Sequence, residues 1–372
     1  MQRRTFFSTL ALPALALSAC GGGGDGSSDP KAPLRATVVG TLAVSNHASV
    51  VAADGRVLIV GGDRGQAILS DAVHRFDPAT RRLSQIAALA GGRASHTALA
   101  LADGRVLVAG GTTALDVMPF AELIDPVSGA VANGGRLAWP RQMHAMTLLA
   151  DGRVLVSGGS GRDNAEVWDP ATNRWRLLAS RMRHTRAGQS ATLLADGRVL
   201  LAGGDAQGHA NYVFAELWDP RSEVFTPLET GISEQRLMHA AWRTRDGSVY
   251  IVGGEVSGPD AIVPLAGAMR FDVATLRFGA ATGLSMARTL AVPVVGADDG
   301  VLLIGGQTVA DRATGRLTRW TAAGGEQPLA NLPGARVWHT ANRLPDGSVL
   351  VVGGEDGSGR FAADMLMLER AQ

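Results

Sequence analysis

Apolar residues in this chain come in short runs punctuated by glycine. Arg105-Val-Leu-Val-Ala-Gly110 and Arg198-Val-Leu-Leu-Ala-Gly203 are typical: branched or aliphatic side chains, too few for a helix, bounded by turn residues, which is the pattern of a buried strand. Seven such runs end in a glycine pair, at Gly61-Gly62, Gly110-Gly111, Gly158-Gly159, Gly203-Gly204, Gly253-Gly254, Gly305-Gly306 and Gly353-Gly354. The spacing averages about 49 residues, a period that belongs to repeat architectures. An Asp-Gly turn opens six of the runs, at Asp54, Asp103, Asp151, Asp196, Asp246 and Asp346. The sixth unit, read as Asp299-Gly300, places it one residue closer to its glycine pair. Asp-Gly between two apolar runs predicts a tight hairpin with both central residues at positive φ.

Downstream of the glycines, Phe76-Asp77-Pro78, Ile124-Asp125-Pro126, Trp168-Asp169-Pro170 and Trp218-Asp219-Pro220 end a third strand in a second turn. There aspartate bonds its own backbone and proline presets φ. A fourth strand follows, as in Arg174-Trp-Arg-Leu-Leu178. Four strands per unit make a propeller blade. Unit five lacks the proline after Phe271-Asp272, unit six has Thr321 in place of the aspartate, and unit seven stops after its third strand, near Leu366-Met-Leu-Glu369. Residues 34–42 read as a spare strand ahead of unit one. The expected fold is all-β: a seven-bladed propeller over residues 35–372, closed by lending this N-terminal strand to the last blade. The repetition of hydrophobic run, double glycine and spaced aromatics over the whole mature chain resembles the kelch family, including the propeller of the copper oxidases related to galactose oxidase.

Composition agrees with a globular, turn-rich chain: 48 glycines, 46% hydrophobic and 19% charged residues. The net charge of +1 gives no reason to expect a nucleic-acid partner. Cys20 is the single cysteine, so neither an internal disulfide nor a cysteine-based metal site is available. It lies in an N-terminal segment with its own pattern. Arg3-Arg4 precedes a short apolar run interrupted by Pro13, too short for a bilayer span and typical of an export signal over residues 1–20. Leu17-Ser18-Ala19-Cys20 resembles a bacterial lipobox, which implies a lipid on Cys20; Arg3-Arg4-Thr5-Phe6-Phe7 resembles a twin-arginine signal. Residues 21–34, rich in glycine, serine and proline, read as a flexible tether. The resemblance implies an exported protein held at the periplasmic or outer membrane by its lipid. Gly21 after the cysteine implies the outer membrane in a Gram-negative host.

Strand parity puts the Asp-Gly and Asp-Pro turns on one face. The loops after each glycine pair and the connections between blades share the other. The loops after the glycine pairs vary in length: residues 205–214 and 255–268 are long, 160–164 brief. The connections also carry arginine three residues before histidine, at Arg93 and His96, Arg141 and His144, Arg236 and His239, Arg336 and His339. Arg186 and Arg288 keep the arginine, followed by Gln189 and Ala291, while His47 lacks it. These positions begin the innermost strands, and one reading gathers them at the channel mouth as a site for an anion or a carboxylated sugar. The other makes them staples between blades, paired with Glu122, Glu166 and Glu216. No metal is expected from histidines that share one offset on different blades, nor any other cofactor. His74, His184 and His209 are isolated and expected at the surface.

The copper oxidases need a tyrosine crosslinked to cysteine, a second tyrosine and two histidines. Here Tyr212 and Tyr250 are the only tyrosines, and Cys20 belongs to the signal. Sialidase boxes, the nucleophile elbow and the phosphate loop are missing as well. The expected function is a monomeric, non-catalytic binding or scaffold module for a glycan or an envelope protein. A cofactor-free sugar epimerase or mutarotase at the arginine mouth is the enzymatic alternative.

Overall fold

The computed structural model describes residues 34–66, 68–204, 212–257, 262–308 and 312–370. The export signal, the tether up to residue 33 and His209 lie outside the described residues. Seven four-stranded antiparallel sheets form the ring, with no helix among the described residues. The first blade runs Ala48–Val51, Val57–Val60, Ala72–Asp77 and Arg82–Ala88, inside to outside, and the next five repeat that order.

The ring closes as expected. Leu34–Thr41 pairs antiparallel with Asp364–Arg370, from Leu34↔Arg370 to Thr41↔Asp364, and supplies the outermost strand of blade seven. An edge that would otherwise offer unpaired backbone groups is thereby covered.

The hairpins differ from the expected geometry. In blade one Gly55 N donates to Ala52 O at 2.9 Å and Ala52 N to Arg56 O at 2.8 Å, so the loop holds three residues and only the glycine is left-handed, at φ 81°. This is a four-residue turn followed by a bulge, a common three-residue hairpin connection. The aspartate serves instead as an acceptor: Asp54 Oδ1 takes the Arg56 amide at 3.0 Å. The sixth unit is not shortened. Asp298 Oδ1 accepts from Gly300 N at 3.1 Å, and Asp299 takes the glycine's place at φ 59°. In its second turn Thr321 Oγ1 accepts the Gly324 amide at 3.1 Å, doing the work of aspartate.

The core lies between blades. Seven apolar layers each combine residues of two neighbours, such as Leu107 and Met146 with Trp168 between blades two and three, or Val57 and Phe76 with Leu350 and Met365 across the closure. Trp168, Trp218, Trp242 and Trp320, from consecutive blades, are among the largest fully buried side chains. In blades five and six the loop after the glycines carries a two-stranded ribbon, Glu255–Ser257 with Ile262–Pro264 and Gln307–Thr308 with Arg312–Ala313.

Candidate functional site

The glycine pairs, the arginines and the histidines turn out to be parts of one joint between blades. The second glycine of each pair donates its amide to the carbonyl of the next blade's arginine, from Gly62 to Arg93 at 2.8 Å through Gly306 to Arg336 at 2.9 Å. At the closure Gly354 donates to Val44 O at 2.8 Å, which occupies the arginine's place in unit one. Each arginine side chain then reaches into its own blade. Its Nη1 donates to the carbonyl of the first glycine seventeen residues on, as in Arg141 to Gly158 at 2.8 Å and Arg186 to Gly203 at 2.6 Å. Arg93, Arg236, Arg288 and Arg336 repeat the contact. Only glycine fits: a Cβ on Gly110 would lie 2.4 Å from Arg141 O and 2.8 Å from His144 Cε1, at φ 63°.

All six arginines are buried, with exposures of 0–4%, so none gathers at an open channel mouth. The constant offset placed their backbones correctly at the start of the innermost strands. Their guanidinium groups turn inward, toward carbonyls that the glycines leave open. Arg141 donates to Glu166 Oε1 at 2.7 Å, Arg186 to Glu216 Oε1 at 2.9 Å, and Arg93 pairs with Glu122. Glu166 in turn accepts the backbone amides of Ala138 and Trp139. Where the third strand has no glutamate at the matching position the arginine finds another partner. Arg236 bonds Glu234 at 2.6 Å and Arg288 bonds Glu326 at 3.0 Å, while Arg336 relies on the carbonyls of Gly353 and Asp364. Burial lowers the pKa of Arg288 and of Arg336 to about 10.

The histidines fill the rest of each joint. His47 meets Thr340 Oγ1 at 2.7 Å, His144 meets Thr97 at 2.7 Å, and His239 meets Ser190 at 2.8 Å, each reaching the preceding blade. Gln189 does the same through Ser157 O at 2.8 Å. His96 and His339 pack against Gly61 and Gly305 of the preceding blades. Burial lowers all five histidines, to about 3 at His47, His144, His239 and His339. His184, expected at the surface, is 8% exposed with its ring 6.0 Å from that of Tyr212, while His74 is partly buried.

No sequence pattern marks the ring of residues just before these histidines. Asn46, Ser95, Met143, Gly188, Met238, Leu290 and Trp338 are all left-handed, with φ between 52° and 68°. Their amides donate from blade to blade around the axis: Ser95 to Asn46 O at 3.1 Å, Gly188 to Met143 O at 3.1 Å, Met238 to Gly188 O at 3.0 Å, Leu290 to Met238 O at 3.1 Å, and Asn46 to Trp338 O at 3.1 Å. Met238, Leu290, Leu237 and Val337 pack together with Met143 and Trp338, so one side of the mouth is apolar. Across the closure lie Asp63 and Glu355. Burial first, then Asp63 and Asp356, raise the pKa of Glu355.

Copper does not fit the residues present. Tyr250 stacks on Trp242 at 6.1 Å inside the layer between blades five and six, and the Tyr212 hydroxyl donates to Gly204 O at 3.0 Å. The histidines are spent one per joint, and among the described residues no three histidine, cysteine or carboxylate side chains assemble for a metal.

No protein-family model matches the sequence, and no curated protein matches it. Solved structures of similar shape include a "novel fungal alcohol oxidase with catalytic diversity among the AA5 family, in complex with copper". That likeness has a TM-score of 0.74 at 17% identity, over 91% of this chain and 76% of the oxidase. The chain therefore has a seven-bladed β-propeller fold, similar in shape to that oxidase.

Proposed function

We propose that this propeller is a non-catalytic binding or scaffold module of the bacterial envelope, exported, held to a membrane by a lipid on Cys20, and taking a glycan or an envelope protein on its loop face. The observation that carries the reading is the burial of the six arginines. Groups that bind carboxylates or carbonyls inside a joint are not available to grip a substrate, and their recurrence in every blade after the first serves the repeat. The parts that vary are the loops after the glycine pairs, on a rigid scaffold, where recognition usually sits. An uncharged saccharide, an acidic saccharide or a protein segment could each be selected there by changing loops alone.

One observation favours a second reading, a cofactor-free sugar epimerase or mutarotase. Glu355 has no arginine partner among the described residues, and its raised pKa suits a group that passes protons. One experiment separates the two. The full chain is mixed with a panel of neutral and acidic saccharides, binding is followed by thermal shift, and the same samples are followed by proton NMR. A shift with unchanged sugar spectra is the expected result. Epimer or anomer exchange that is lost in Glu355→Gln would overturn the non-catalytic reading.

A further inference from the structure

Among the described residues, two arginines on the loop face have no carboxylate partner, and each lies over an exposed aromatic ring. The guanidinium carbon of Arg162 is 4.5 Å from the ring centroid of Trp139, and that of Arg136 is 5.1 Å from Phe120. Trp139 is 39% exposed and Phe120 46%. Phe120 and Arg136 are cross-strand partners in blade two, and Trp139 follows three residues later in the connection to blade three. One stack therefore sits at the loop-face end of blade two, and the other joins the connection that follows it to blade three.

It is also held in place. The Trp139 amide donates to Glu166 Oε1 at 3.3 Å, which ties the connection to the buried joint beneath. Arg162 sits on the shortest of the loops after the glycine pairs, fixed by its amide on Gly159 O at 2.9 Å. Its Nε is buried without an acceptor, although Arg181 nearby pairs with Asp163 at 3.0 Å. Its charge presses on Arg141 below, lowering that residue further. Arg162 is itself partly exposed, so a cation with no carboxylate partner among the described residues is held over a ring within reach of solvent.

From this geometry we infer that the two stacks bind a carboxylated saccharide chain, with uronate carboxylates on Arg136 and Arg162 and pyranose faces against Phe120 and Trp139. The inference rests on the binding reading above and names its ligand class and place. Guanidinium takes carboxylate in a planar two-point bond, and an exposed aromatic offers the C–H face of a sugar an apolar surface. Inorganic phosphate would use the arginines and leave the rings idle.

The test is calorimetric titration of the full chain with oligogalacturonate, a neutral oligosaccharide of the same length, and inorganic phosphate. Oligogalacturonate should bind at least tenfold more tightly than the other two. Trp139→Ala and Arg162→Gln should each weaken it at least tenfold without changing the melting temperature, and Trp139→Phe should recover part of the loss. Equal affinity for phosphate would overturn the saccharide assignment. Binding of oligogalacturonate unaffected by these substitutions, or binding of the neutral chain alone, would overturn this site and leave the binding reading standing. No binding of either saccharide would remove the glycan from both.

Discussion

Acid should unfold this propeller before most of its carboxylates titrate, because of the histidines between blades. Burial holds His47, His144, His239 and His339 at a pKa of about 3, against 6.5 in an exposed chain. The folded state thus keeps these rings neutral, while the unfolded chain takes up protons as the pH drops through 6.5. Stability is unaffected above that value. Below it, each histidine removes about 1.4 kcal/mol per pH unit, and the loss would level off only near the folded pKa. By pH 5.5 four histidines together remove roughly 6 kcal/mol, which is comparable with a total folding stability of ~5–15 kcal/mol. His96 is shifted in the same direction and adds to the loss. The unfolding midpoint is therefore expected between about pH 4.5 and pH 6. Tryptophan fluorescence and far-ultraviolet circular dichroism from pH 8 to pH 3, repeated at several urea concentrations, give the midpoint and the number of protons taken up. His144→Gln is the control, since Gln189 already fills the same place in blade four with a bond to Ser157 O. It should reduce the uptake by about one proton. A protein that stays folded at pH 4 with flat stability, or an uptake unchanged in His144→Gln, would refute the reasoning.

Two further outcomes follow from the joints and the closure. Glu166→Gln leaves the Arg141 charge uncompensated where both side chains have no exposure, and should cost about 3–5 kcal/mol in urea unfolding. Arg56→Gln, which breaks half-exposed pairs to Asp54 and Asp77, should cost under about 1 kcal/mol; equal costs would contradict the account. Deleting residues 35–43 strips the outer strand from Asp364–Arg370, and size-exclusion chromatography should find aggregate. A soluble monomer would mean that the closure is dispensable.

The propeller was legible because each blade must solve the same problems with the same residues. A glycine pair is needed wherever two blades meet, an aspartate or threonine wherever the outer hairpin turns, and an apolar run wherever a strand is buried on both faces. The closure was legible because the seventh unit lacks a strand and the segment ahead of the first unit has one to spare. The arginines were harder. Their offset fixed the backbone position, but side-chain direction depends on the space left by glycines one blade away and on carbonyls of their own blade. One signal was available: the arginine-to-glycine separation is seventeen residues in all six units, while the loop lengths after the glycines vary. A spacing that holds while its surroundings change points to contact. The left-handed ring had no such signal, since Asn46, Met143, Leu290 and Trp338 share no chemistry and are united only by backbone conformation. Asp298 and Asp299 misled because either could be the turn aspartate until the hydrogen bonds chose.

The pairing of Leu34 with Arg370 also sets a direction. Arg370 ends the third strand of its blade, on the side of the short, uniform turns, so the chain enters the propeller from that side. A lipid on Cys20 would draw this flat, repetitive surface toward the bilayer. The long loops, the apolar arc around Trp338 and the stack at Trp139 would then all look outward, away from the membrane and toward whatever approaches through the surrounding space. With such an anchor, adding the last strand first in sequence would decide which side of the disc is presented, and a version closed by a C-terminal strand with the same anchor at its N-terminus would be presented upside down.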